Sequence, residues 1–373
     1  MRMICLVPFA AMAACGPDGG PTTTPDTGGA EAFLPSDAPG PFTPATLVGE
    51  ITPDHGTPLT VQAWYPSDAV GGQAHSYDGF ITGAAVDGGA AACASPRPVL
   101  VFSHGNDGVR WQSLWLVEAL AARGWVVVAP DHTYNTIFDG DDDAFADVIF
   151  RRPLDTVATY DWLVGELAAP GGPLDGCVRE SDGYAMAGHS FGGFTTYAVA
   201  GAPIDRDASA AFCATSGGWL CDPVAEWFAA HPEESRVDRS DDRIWAAVPM
   251  TPAAYDALVG GLGEVSVPVL TWGGGRDTLT PMASVVRPLH EGLVGTTAHL
   301  AVIDDAGHYS FSDACALLGG GVPDCEPPFR PPAEVQSLAR VVTISFLDQL
   351  RGYDEAAAWW PVEDDGLTWE PAE

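Results

Sequence analysis

The sequence predicts an α/β fold, a mostly parallel, doubly wound sheet with flanking helices and an insertion before the sixth strand. Three observations predict it. Continuous apolar runs of strand length occur at 98–102, 125–129 and 184–187, the pattern of strands buried on both faces of a parallel sheet. Segments of helical period lie between them, and regular alternation of strand and helix favours a doubly wound sheet. Finally, Gly188-His189-Ser190-Phe191-Gly192 sits between such a run and a helical segment, reading as strand, sharp turn, helix, with glycines where the backbone must bend tightly.

The elements follow in chain order. Residues 1–15 combine Arg2, a short apolar stretch and small residues ending at Met12-Ala13-Ala14-Cys15, the make-up of a secretory signal too short to span a membrane. The last four residues resemble a bacterial lipobox, with Met12 where that pattern usually has leucine, so Cys15 is the expected lipidation site; the alternative is an ordinary cleaved signal. Residues 16–45 are rich in Pro, Gly, Thr and Asp and are expected to be a disordered tether reaching roughly 30 Å. The folded domain is expected to span 46–355. Alternation at 46–51 and 60–65 predicts two early antiparallel strands, and 71–95 reads as a Gly/Ala-rich loop. A helix ends at Arg123-Gly124. Residues 131–150 read as an irregular acidic segment, and Pro153 as the first turn of the next helix, whose stripe is Val157, Tyr160, Val164 and Leu167. An insertion at 203–242 breaks the rhythm. Strands at 244–250, 268–272 and 299–303 follow, with helices at 281–293 and along Val335, Leu338, Val342, Phe346 and Leu350. The acidic, Trp-rich stretch 356–373 reads as a tail with no assigned role.

Composition narrows the partners. Fifty acidic residues face 16 basic ones, all arginine, for a formal charge of −34. Nucleic acid and anionic lipid surfaces both require clustered positive charge and are not expected partners. Membrane association is expected only through the N-terminal lipid anchor, and the protein is expected to be a monomer. No spacing suggests a cofactor or a metal. The run Asp139-Gly140-Asp141-Asp142-Asp143 lacks the ligand ladder of an EF-hand and reads as a solvated loop.

A serine hydroxyl becomes a nucleophile when a base removes its proton, and the base needs a carboxylate to orient it. Ser190 has candidates for both. Asp277 lies in the turn after the 268–272 strand, and His308 lies in the loop after the 299–303 strand. Asp304 and Asp305 are rivals for the carboxylate but are too near His308 in sequence to share its loop comfortably. Among the other histidines, His104 and His189 are expected to shape turns. His55, His75, His132, His231, His290 and His299 show no pairing in the sequence.

With these residues the chain resembles an α/β-hydrolase of the platelet-activating-factor acetylhydrolase and predicted dienelactone hydrolase group, itself similar to bacterial cutinase-like polyesterases. The resemblance covers roughly 46–350. It rests on Trp64-Tyr65-Pro66, Phe102-Ser103-His104-Gly105, Arg152-Pro153-Leu154-Asp155, the Ser190 turn through Gly193, Gly275-Arg276-Asp277 and Ala306-Gly307-His308-Tyr309-Ser310-Phe311. It implies a Ser-His-Asp triad of Ser190, His308 and Asp277 in the family's chain order, and an oxyanion hole from the backbone amides of Asn106 and Phe191. True dienelactone hydrolases carry cysteine at the nucleophile position, so that substrate is not carried over.

Six cysteines follow Cys15. In an oxidising compartment they are disulfide candidates: Cys213 with Cys221 and Cys315 with Cys325 are close in sequence, and the family's sheet order makes the strands after Cys93 and Cys177 neighbours. The alternative is free thiols. The expectation is thus an extracytoplasmic bacterial lipoprotein (periplasm, outer membrane or cell surface) that hydrolyses a small-molecule, lipid-like or polymeric carboxylic ester. The alternatives are a cutinase-like polyesterase and a noncatalytic surface lipoprotein using the fold as a binding module.

Overall fold

The computed structural model describes residues 33–318, 321–359, 364 and 366–370; the signal, Cys15 and most of the expected tether lie outside the described residues. Strands β1 (Thr43–Ile51) and β2 (Leu59–Ser67) form an antiparallel pair, and β3 (Ala74–Tyr77) and β4 (Ile81–Asp87) form a second hairpin. There follow β5 (Val99–Ser103), α1 (Leu114–Ala122), β6 (Val126–Pro130), α2 (Phe145–Trp162), β7 (Tyr184–His189) and α3 (Phe191–Val199). The insertion supplies β8 (Ile204–Asp205), α4 (Arg206–Ser216), α5 (Cys221–Ala230) and β9 (Arg236–Val237). The chain then forms β10 (Ile244–Met250), α6 (Tyr255–Leu258), β11 (Val269–Gly274), α7 (Arg287–Glu291), β12 (Ala298–Ile303), α8 (Ala314–Leu318), α9 (Pro332–Leu350) and β13 (Leu367–Glu370).

The main sheet has 11 strands in the order β13-β12-β11-β10-β7-β5-β6-β2-β1-β4-β3. From β12 to β6 every neighbouring pair is parallel. Successive side chains of a strand point to opposite faces, and here both faces are covered. Val99, Val101, Tyr184 and Met186 enter one core with residues of α2, α3 and α5. Leu100, Phe102, Ala185 and Ala187 enter the other with α1 and α9. That is why these strands read as unbroken apolar runs.

Four boundaries differ from the sequence reading. Residues 34–42, assigned to the tether, are folded: Arg123 donates to the carbonyls of Leu34, Pro35 and Ala38, and Phe42 N–H donates to Ala122. The 71–95 loop contains the β3 and β4 hairpin. Its end is held by Glu118 on α1, which accepts from the amides of Ala84 and Ala85 and from the Tyr77 hydroxyl. Helix α2 starts at Phe145, with Pro153 inside it. An internal proline removes one backbone bond and costs about 3 kcal/mol, but Val148, Ile149 and Phe150 in the first half are buried and keep the segment helical. The tail is partly structured as well: β13 pairs antiparallel with β12, and buried Ala356 accepts from Ser345.

Among the described residues, three disulfides join Cys93 to Cys177, Cys213 to Cys221, and Cys315 to Cys325. The first ties the lead-in of β5 to that of its parallel neighbour β7. Such bonds suit an oxidising, extracytoplasmic compartment. No helix among the described residues is long and apolar enough to cross a membrane.

Candidate active site

Ser190 occupies the single residue between β7 and α3, with φ 58° and ψ −116°. A non-glycine residue in this region is strained and must be held by its surroundings. Its amide donates to Met250 on β10, and its carbonyl accepts from Gly193, Phe194 and Ala253. The glycines of the turn provide the space. A Cβ at Gly192 would lie 1.9 Å from the Ser103 carbonyl oxygen, and one at Gly188 would lie 2.2 Å from the Gly192 oxygen.

Asp277 follows β11 and His308 follows β12, at the same end of the sheet. His308 Nδ1 donates to Asp277 Oδ2 at 2.8 Å. Asp277 also accepts from the Leu279 and Thr280 amides and from the Thr280 hydroxyl, at 2.8, 2.8 and 2.7 Å. Burial opposes the charge, yet the bonds from His308 and Thr280 hold the Asp277 carboxyl below its ordinary range. The carboxylate beside His308 is therefore Asp277; Asp304 accepts instead from Thr368 at the sheet edge. No hydrogen bond joins Ser190 to His308 among the described residues, although both line one cavity. Tightening of such a contact on substrate binding is common.

The loop after β5 carries His104, Gly105 and Asn106 over the elbow. Among the described residues, neither the Asn106 amide nor the Phe191 amide donates to a protein acceptor. The Asn106 side chain accepts from Asn135 and donates to Asp107. Beneath the loop lies a buried polar array that the sequence reading missed. Arg152 on α2 donates to the carbonyl of His104, to Ser103 Oγ and to Asn135. Ser103 Oγ lies 2.9 Å from His132 Nε2, and His132 Nδ1 lies 2.9 Å from Asp155 Oδ2. His55 approaches the other Asp155 oxygen at 2.8 Å. Burial, reinforced by Arg152, pushes His104 and His132 well below the usual imidazole range, so both are neutral. His55 and His132 are thus paired, as is His75 with Asp87 at 2.5 Å, contrary to the expectation that they stand alone. Their partners are distant in sequence. The only trace was the Arg152-Pro153-Leu154-Asp155 motif, whose two charged residues hold the loop from below.

The cavity at Ser190 has a volume of about 1020 Å³. Phe80, Trp111, Phe138, Trp219, Leu279 and Leu318 contribute to its walls, and among the described residues its only acidic lining groups are Asp107 and Asp256. Trp219 stands on the segment bracketed by the Cys213–Cys221 disulfide, and its ring meets that of Phe191 edge-on at 4.9 Å.

No family model matches the chain, and no curated protein matches it. A solved structure does: a ferulic acid esterase from Streptomyces cinnamoneus is similar with a TM-score of 0.58 and 21% identity, over 88% of this chain and 96% of that one. The chain has an α/β-hydrolase fold. Within that fold, Ser190 sits at the strand-to-helix elbow, and Asp277 and His308 sit at the ends of the later strands. The insertion β8 to β9 walls one side of the cavity.

Proposed function

We propose that this protein is a serine carboxylic-ester hydrolase. The observation that carries the reading is the strained Ser190 elbow opening into a cavity also lined by His308, whose Nδ1 is held by Asp277. Ser190 Oγ attacks the ester carbonyl carbon while His308 takes its proton. The carbonyl electron pair moves onto oxygen, where the Asn106 and Phe191 amides receive it. Collapse expels the alcohol with the proton from His308 and leaves the acyl group on Ser190, and water then reverses the sequence. Asp277 keeps the His308 proton on Nδ1. The motif resemblance to the acetylhydrolase-like group, the structural likeness to a ferulic acid esterase and the apolar walls support esters over peptides. The carboxylates of Asp107 and Asp256 argue against an anionic acyl chain.

A polyesterase reading has its own support. Phe80, Ile137, Phe138 and Leu318 line the cavity yet are 65, 60, 55 and 60% exposed, so the apolar wall continues onto the surface, where an extended or insoluble ester could lie.

Chromogenic esters of increasing acyl length, given to the wild type and to Ser190→Ala, test the first reading. The variant is expected to lose at least about 10⁴-fold in kcat, and activity that survives in it removes the proposal. Labelling by a fluorophosphonate decides against the noncatalytic alternative: an intact Ser190 that never reacts would favour a binding module. Lipidation at Cys15 remains a proposal, checked by the mass of the mature N-terminal peptide.

A further inference from the structure

Gln112 lies between β5 and α1 and is buried, and its side-chain amide is used in both directions. Oε1 accepts from the Gly105 amide at 3.0 Å. Nε2 donates to His189 Nδ1 at 3.0 Å. Because that ring nitrogen accepts, the imidazole proton must sit on Nε2, which lies 2.9 Å from the His308 carbonyl and donates to it. The backbone closes the circuit, since the Asp313 amide donates to the Gln112 carbonyl at 2.7 Å. One side chain therefore touches the loop after β5, the elbow and, through His189, the loop bearing the base.

The packing leaves little freedom. A Cβ at Gly108 would stand 2.2 Å from Gln112 Oε1. Burial, with His308 adding to it, pushes His189 down to about 3, so this imidazole is neutral and its tautomer is set by its neighbours. Gly105 immediately precedes Asn106, and His308 is the base itself. Both positions matter at the ångström scale, since a displacement of about 1 Å can cost about 10²-fold in rate.

We propose that Gln112 is a positioning residue: through Gly105 it sets the Asn106 amide, through His189 it sets the backbone of His308, and it thereby holds the oxyanion donor in register with the base. This rests on the assignment of Ser190, His308 and Asn106 given above.

Two substitutions separate this role from simple filling of the core. Gln112→Met keeps the length and removes both hydrogen bonds. With a soluble p-nitrophenyl ester, its kcat is expected to fall about 10²-fold, with KM within about threefold of the wild type. Gln112→Glu keeps the acceptor for Gly105 but cannot donate to neutral His189. An introduced carboxylate against Nδ1 favours the imidazolium and raises the proton affinity of His189 above its wild-type level. Toward low pH His189 can therefore take a proton and donate to both that carboxylate and the His308 carbonyl, restoring the chain. At higher pH that proton leaves, and either the introduced carboxylate or the His308 carbonyl faces a lone pair. The ratio of variant to wild-type kcat is therefore expected to fall as pH rises from about 5.5 to 8.5. A merely structural role would give a loss independent of pH, or one confined to thermal stability, and either result overturns the proposal, as does Gln112→Met turning over like the wild type. If Gln112→Met does not fold, the pH comparison on Gln112→Glu decides. Fluorophosphonate labelling of wild-type Ser190 is the accompanying control: without it the underlying assignment fails and the proposal with it, whereas labelled protein with unaffected Gln112 variants rejects the positioning role alone.

Discussion

Asp277 shows how one atom can determine the state of a site. Its Oδ2 accepts the Nδ1 proton of His308, while its other contacts come from Leu279 and Thr280. In Asp277→Asn the amide oxygen can keep the backbone donors, but an N–H group would then face His308 Nδ1 and drive the imidazole proton to Nε2. A histidine in that tautomer cannot accept the Ser190 proton. The expected result is a loss of about 10⁴-fold in kcat with little change in fold, measured by steady-state kinetics alongside circular dichroism; a loss under about tenfold would separate Asp277 from the chemistry. The placement of Ser190, Asp277 and His308 at one end of the sheet was legible in the sequence because each follows a recognisable strand, so chain order carried spatial information. Gln112, His55 and His132 were not, because each is defined by partners on other elements. His132 meets Ser103 and Asp155, a relation that neither periodicity nor local spacing records.

At the scale of elements, strands buried on both faces could be read from their unbroken apolar runs, but elements at the margins of the sheet could not. The β3–β4 hairpin is short and its burial alternates irregularly, and β13 is only half-buried. In α2 the helix signal of Pro153 is misleading because tertiary burial outweighs the proline. Helix α1 has another hidden feature: Ser113 at its N-cap makes no side-chain cap, and Asp313, from beyond His308, accepts the Leu114 amide at 2.5 Å instead. Burial pushes the Asp313 carboxyl up to about 7 against the pull of the Leu114 and Trp115 amides, and Glu118 adds repulsion. An aspartate in the unfolded chain loses its proton near pH 4. Between that pH and about 7 the native state holds a proton that the unfolded state lacks, so this group makes stability fall as pH rises, by up to about 1.4 kcal/mol per pH unit. Asp313→Asn keeps an oxygen for Leu114 and cannot titrate. The drop in Tm between about pH 5 and pH 8 should therefore be smaller in the variant than in the wild type. Using the difference between the two proteins removes the contributions of Asp131, Asp155, Asp256 and Asp348, which burial also raises. Equal slopes would place Asp313 in its charged form across the whole range.

At the scale of the molecule, the charge of −34 sets two electrostatic effects against each other. The arginines are concentrated in specific pairs: Arg110 with Asp131, Arg243 with Asp161 and Asp241, Arg287 with Glu370, and Arg330 with Asp364. Salt weakens the exposed members of this set, each worth about 0–1 kcal/mol. The remaining carboxylates repel one another over the whole surface, and this repulsion is screened once the Debye length falls to about 10 Å at 0.1 M salt. Only 16 basic residues stand against 50 acidic ones, and several of those pairs are partly buried, where screening is weaker. Relief of repulsion should therefore prevail. Raising NaCl from about 0.02 to about 0.5 M is expected to stabilise the fold by on the order of 1 kcal/mol and to raise Tm by about 1–2 °C. Scanning calorimetry at fixed pH measures it, with sodium chloride chosen over sulfate so that screening is not confused with exclusion of a kosmotropic anion from the surface. A Tm that falls steadily with NaCl would mean that the arginine pairs, rather than the general excess of carboxylates, dominate the electrostatics of folding. The same screening should leave kcat/KM for an uncharged ester nearly unchanged, because Asp107 and Asp256 in the cavity wall exert no long-range force on a neutral substrate.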